Sequence, residues 1–269
     1  MNMSRRSCLL GLLTGAALLV GCAVALPPAP APQVREVLAP LDRLRVGVYA
    51  GSPTSMVNDK NGKPAGVAHD LGHEFARWLG VPVELIEYKR VAEVIDAMKM
   101  GAVDFTFTNA TEARARDVNF TLPMISLELG YLVPAGSNLE AISEIDRVGV
   151  KVGVTQGSSS QGVLGRQYKQ ATLVTVPTMK QATDMLKQGQ LDAFATNKGI
   201  LNELADNVPG ARILSGRWGL EHMAIAVPKG RESGMDYLNN FALTVRRDGT
   251  LSAIVTRSGL RGTVEPSAR

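Results

Sequence analysis

The stretch "VAEVIDAMKMGAVDFTFTNATEARARDVNF", Val91 to Phe120, changes its hydrophobic period twice. Its opening, as far as Gly101, sets apolar side chains at helical spacing and stops at a glycine. "VDFTFT" (Val103 to Thr108) then alternates apolar and polar residues as a strand does, and runs straight into hydroxyl, amide and hydroxyl groups followed by two arginines two residues apart. Toward the N-terminus, "VPVELIEY" (Val81 to Tyr88) reads as a strand, "HDLGHEFARWLG" (His69 to Gly80) as a helix and "LRVGVYA" (Leu44 to Ala50) as a buried strand. From Leu44 to Thr108 the order is strand, helix, strand, helix, strand, which argues for a parallel sheet covered by helices.

The same rhythm restarts after "LELGYLVPAGS". "VKVGVT", "ATLVTV" and "LDAFAT" read as strands, and "SSQGVLGRQY", "TMKQATDMLKQG" and "NKGILNELADNV" as the helices that follow them. "HMAIAVPKG" is an apolar strand, and two helices broken at "RRDGT" close the chain. The similar connectors "GYLVP" (Gly130 to Pro134) and "MAIAVP" (Met223 to Pro228) read as paired hinge strands. The expected fold is α/β with two lobes: residues 43–130 and 224–269 form the first, and residues 131–223 the second.

A chain of 269 residues has room for one large domain or two ordinary ones. Its formal charge of +4 falls to +2 once Arg5 and Arg6 are removed with a leader, too small and too scattered for a nucleic-acid partner. "MNMSRRSCLLGLLTGAALLVGC" has a basic start, an apolar run from Cys8 to Val20 and then small residues, the layout of an export signal over residues 1–21. The run is shorter than the roughly 20 residues a membrane span needs. Leu19-Val20-Gly21-Cys22 resembles a bacterial lipobox, which implies a lipid on Cys22 and attachment to a membrane in the periplasm or cell envelope. The only other cysteine, Cys8, lies in the leader, so the mature chain offers no disulfide and no thiol nucleophile. Pro and Ala alternate in "AVALPPAPAPQ", so residues 22–42 are expected to form an extended tether.

Taken in order, "LRVGVYA", "NGKPAGVAHDL", "VDFTFTNATEARARDVNFTLP", "GVTQGSSS", "GQLDAFATN" and "AIAVPKG" resemble the family 3 extracellular solute-binding proteins, receptors of polar amino-acid ABC importers. The resemblance runs from about Leu44 to about Arg261. It implies a two-lobed type II periplasmic binding fold that closes on a small molecule and delivers it to a permease. It implies no cofactor, no metal and no catalysis, and a monomer is expected.

Within "TNATEARARDVNF", Thr111 is a good N-cap with Glu112 in the first turn. Arg114 falls near the third helical position, where an arginine and free N–H groups together make an anion site. The resemblance also implies Arg114 as the clamp on a ligand carboxylate. Arg116 projects about 200° round the helix and is expected on the surface. Thr108 and Asn109 are carried over as contacts, although the loop from Asp104 to Arg114 is two residues shorter than the family pattern. Across the cleft, "TQGSSSQG" lies between a strand and a helix, where it is either a capping loop or an anion site, and the resemblance implies Ser158 and Ser159 as closers on the same anion.

Two departures from the family pattern concern charge. Asn197 stands where an acidic residue usually contacts the α-ammonium, and Tyr49 occupies a second position that is often acidic. Both remain candidate contacts, but neither supplies a negative charge, so the expected ligand is an anion with little need for an ammonium. His69 and His73 have the spacing of a zinc pair and are expected on a solvated helix face. Tyr88 is a candidate for the missing aromatic wall, and Asp192 reads as a strand-end residue. The alternatives are a receptor for a membrane sensor and an enzyme similar to cyclohexadienyl or arogenate dehydratases, for which Glu221 is an available acid.

Overall fold

A computed structural model describes residues 30–264; the leader, Cys22 and most of the Pro/Ala run lie outside these residues. Pro32 opens α1 (Pro32–Leu38) at the first helical position, where its missing N–H costs nothing. This is a correction to the tether expected as far as Asp42. Val34, Val37 and Leu38 fall on one helical face, and that face packs on the core of the first lobe. Arg231 donates to the Val37 carbonyl and fixes the helix there.

The first lobe follows as β1 (Leu44–Tyr49), β2 (Val57–Asn58), β3 (Pro64–Ala65), α2 (Val67–Leu79), β4 (Val83–Tyr88), α3 (Val91–Lys99), β5 (Thr106–Asn109), α4 (Glu112–Ala115) and β6 (Val118–Phe120). β7 (Ile125–Val133) crosses to the second lobe, which holds β8 (Lys151–Thr155), α5 (Ser159–Gln167), β9 (Thr172–Val176), α6 (Met179–Lys187), β10 (Ala193–Asn197), α7 (Lys198–Asn207) and β11 (Arg212–Ile213). β12 (Gly219–Pro228) returns, and α8 (Met235–Arg247), α9 (Thr250–Arg257) and β13 (Thr263–Val264) finish the first lobe.

β1 lies parallel to β4 and meets the chain just before β5 through an isolated parallel bridge between Val46 and Phe105. α2 covers this layer, stacking Phe75 on Phe105 at 5.7 Å and packing it tilted against Phe241 of α8 at 4.8 Å between ring centres. Gly72 allows the close approach, because a Cβ there would meet Val46 at 2.6 Å. In the second lobe the core alternates across the sheet. Tyr131, Val133, Ala193 and Ala195 pack on one face, while Leu132 and Phe194 pack on the other, which is the period of two seen in the sequence.

The two lobes share one sheet of order β5-β12-β7-β10-β8-β9. β7 and β12 pair antiparallel from Ile125 with Met223 to Leu129 with Gly219. The crossing pair is therefore offset from the two connectors expected to form the hinge. Most of "GYLVP" belongs to the core of the second lobe, and most of "MAIAVP" to that of the first.

Asp104 ties the first lobe together electrostatically. It is 1% exposed and accepts from Arg45 Nε and Nη2 at 2.8 Å each and from Arg231 Nη2 at 3.1 Å. Removing one partner of such a buried group leaves the other charges uncompensated, at a cost of about 3–5 kcal/mol. Asp104→Ala should lower unfolding stability by that amount in urea titrations. A loss under about 1 kcal/mol would show that water replaces the carboxylate.

Candidate ligand-binding site

Two strands end at the crossing pair. β5 finishes at Asn109, opposite Met223, and β10 at Asn197, opposite Leu129. Between them Glu221 sits on β12, opposite Leu127, in the middle of the crossing ladder. A cavity of about 40 Å³ opens there, lined from the first lobe by Tyr49, Thr108, Asn109 and Arg114, from the second by Ser158, Ser159 and Asn197, and by Glu221 itself. All seven residues expected at the site thus meet around one cavity at the carboxyl ends of strands, where open α/β sheets place ligands.

Thr111 caps α4 by accepting from Arg114 N at 3.2 Å, which turns the Arg114 side chain back toward the strand end. Arg114 Nη1 then donates to Thr108 Oγ1 at 2.8 Å and to the Asn109 carbonyl at 3.2 Å. No carboxylate forms an ion pair with Arg114 among the described residues. Burial pushes this guanidinium down from its ordinary value, against the raising pull of Glu221 and then of Tyr49. Burial likewise raises the Tyr49 hydroxyl, against a smaller lowering pull from Ser52 and Thr54.

Glu221 was considered in the sequence only as an acid for an enzyme reading, yet it is the hub of the cavity. It is 6% exposed and accepts from Ser159 Oγ at 2.7 Å, Asn197 Nδ2 at 2.9 Å and Asn109 Nδ2 at 3.4 Å. These donors suit an ionised carboxylate, which only accepts. A signal for this was present in the sequence: Glu221 is in phase with Met223, Ile225 and Val227, so a period of two puts it on the buried face. The cavity thus holds an acidic group, placed on β12 and not at either of the two usual positions, Asn197 and Tyr49.

Other assignments shift with it. Ser158 Oγ accepts from Gln161 N at 3.1 Å as the cap of α5, and Ser159 faces Glu221, not Arg114. Asn197 caps α7 through Oδ1, accepting from Ile200 N at 3.0 Å, so it presents its NH₂ to the cavity. Arg116 is exposed. Tyr88 lies outside this cavity, and Asp192 accepts from Lys151 N at the start of β8. His69 departs from the solvated face expected of it, because α2 is buried on most sides; it is 8% exposed, with Nδ1 2.6 Å from Asp70 Oδ1. Among the described residues, no three potential ligands gather as a metal site.

The model of the bacterial extracellular solute-binding proteins, family 3, matches residues 44–259. The chain belongs to this family. It is 24% identical over 201 residues to the ABC transporter glutamine-binding protein GlnH of Bacillus subtilis, covering 73% of each chain. It is also 29% identical over 168 residues to the membrane-bound lytic murein transglycosylase F of Shewanella oneidensis, a match that covers 62% of this chain but only 34% of that protein. Among solved structures, an ancestral arginine-binding protein bound to glutamine superposes with a TM-score of 0.72 at 27% identity, covering 80% of this chain and 97% of that one. The fold is thus the two-lobed one of periplasmic binding proteins.

The lobes of this family 3 chain touch at the cavity mouth. Gly157 (φ +73°) lies so close to α3 that a Cβ there would stand 2.5 Å from the Ala92 Cβ. Because the lobes are in contact beside the cavity, a ligand enters with them further apart. A large side chain at Ala92 should hold them open. Ala92→Phe is expected to raise the radius of gyration in solution scattering and, if the closed fraction drops tenfold, to weaken ligand binding about tenfold. Unchanged values for both would place the closing contact elsewhere.

Proposed function

We propose that the protein is a substrate-binding lipoprotein of an amino-acid ABC importer. It captures a zwitterionic amino acid between its lobes and hands it to a permease. The observation that supports this is the pairing of Arg114 with Glu221 across one interlobe cavity. The guanidinium has no carboxylate partner among the described residues, and the carboxylate has only neutral donors. A ligand carboxylate on Arg114 and its ammonium on Glu221 satisfy both, with charge-assisted bonds about twice as strong as neutral ones. Lobe closure carries the binding signal through the ligand groups that bond the second lobe. Cys22 tethers the protein to the envelope membrane in this reading.

A dehydratase-like enzyme is the second reading, favoured by a buried carboxylate facing the cavity. Glu221 fits it less well, because a general acid must hold a proton and this carboxylate is surrounded by donors. Prephenate and arogenate should therefore give no product in turnover assays.

Calorimetric titration with L-amino acids tests the main reading. Arg114→Ala should weaken the best-bound amino acid by about 30-fold or more, since truncating a buried charge partner costs about 2–5 kcal/mol. Glu221→Gln should weaken it about tenfold while leaving the deaminated analogue unaffected. Equal binding of amino acid and analogue by the parent protein would sink the zwitterion reading. Cys22→Ser should release the protein from the membrane fraction, and continued retention would refute the anchor.

A further inference from the structure

Two polar groups at the cavity have no partner among the described residues, and neither was singled out from the sequence. Ser160, 2% exposed, is the second residue of α5 and has an unbonded hydroxyl; Arg90, just before α3, has a buried Nε with no acceptor. Both line the cavity, one from each lobe. Arg90 is held in place by Glu93, whose Oε1 lies 2.9 Å from its Nη1, so its Nε is left over for something else. Lys89, exposed beside it, also lines the cavity.

We propose that Arg90 and Ser160 form a second acceptor-binding subsite for an anionic side chain, so that the ligand is a dicarboxylic amino acid. This rests on the zwitterion reading. Once a zwitterion has neutralised Arg114 and Glu221, the cavity lining still carries Arg90 and Lys89; Glu93, which pairs with Arg90 through Nη1, lies outside the lining and leaves Nε without an acceptor. A neutral apolar side chain leaves Arg90 Nε without an acceptor, and a cationic one adds to the positive lining. A second carboxylate accepts from Arg90 Nε–H and the Ser160 hydroxyl together, and because these come from different lobes, it contributes to closure.

The purified protein is titrated with L-glutamate, L-aspartate, L-glutamine, L-asparagine, L-alanine, L-arginine and glutarate. One of the two acids should bind about tenfold or more tightly than its own amide. Arg90→Met should erase that preference without changing the affinity for L-alanine, Arg90→Lys should restore part of it, and Ser160→Ala should reduce it. If Arg90→Met fails to fold, Ser160→Ala carries the test. Amides or L-arginine binding as tightly as the acids would overturn the subsite, as would an Arg90→Met variant that weakens every ligand equally. Glutarate matching L-glutamate, with the same dependence on Arg90, would overturn the ammonium reading and leave the subsite standing. Failure of every amino acid and of glutarate to bind would overturn both.

Discussion

The Glu221 carboxylate is the constraint around which the cleft is built. A buried carboxylate is costly unless it is hydrogen-bonded, and here its donors are gathered from two lobes: Asn109 from the first, Ser159 and Asn197 from the second. Each of these side chains reaches it because a strand or helix begins or ends beside the crossing pair. The charge thus sets where both lobes converge, and Arg114, anchored on Thr108, faces the same space.

The crossing strands restrict how the lobes move. Ile125 and Leu127 of β7 pack in the first core, while Tyr131 and Val133 of the same strand pack in the second. β12 is committed to the first core by Met223, Ile225 and Val227. Motion is therefore confined to the few residues between these anchors, as expected of a hinge whose flanking cores are tightly packed. β13 adds a third strand beside this ladder, pairing Thr263 with Leu127, and Arg261 reaches Asp206 of α7 at 2.6 Å. The C-terminal segment thus bridges the lobes as well.

The alternation of strands and helices from Leu44 to Thr108 was legible in the sequence because burial repeats every two residues in strands and about every 3.6 in helices. Thr111 as a cap and Arg114 beside it were legible too, since capping is local chemistry. α1 was hidden because the Pro/Ala run that looks like a spacer leads straight into its first residue, Pro32, and the short helical face of Val34, Val37 and Leu38 shows only in tertiary packing. Glu221 was hidden for a different reason: its partners lie 112, 62 and 24 residues away, and no local pattern reports such distances. Ser158 and Ser159 were identified as a pair, but which hydroxyl caps the helix and which faces the cleft depends on the rotation of α5.

Placing the carboxylate on the crossing strand has an energetic consequence. An acidic residue at Asn197 would bring the charge with the second lobe, whereas Glu221 is already present at the hinge and holds that lobe through neutral donors. An incoming ammonium competes with those donors for the same oxygens. A ligand shifts the lobe equilibrium only by the difference between its interactions in the two states. An ammonium that merely replaced Ser159 and Asn197 would gain little from closure, so a ligand favours closure only if those donors find new acceptors on it or if its remaining groups bond the second lobe. Selectivity in this cleft therefore depends on what the ligand carries beyond its ammonium.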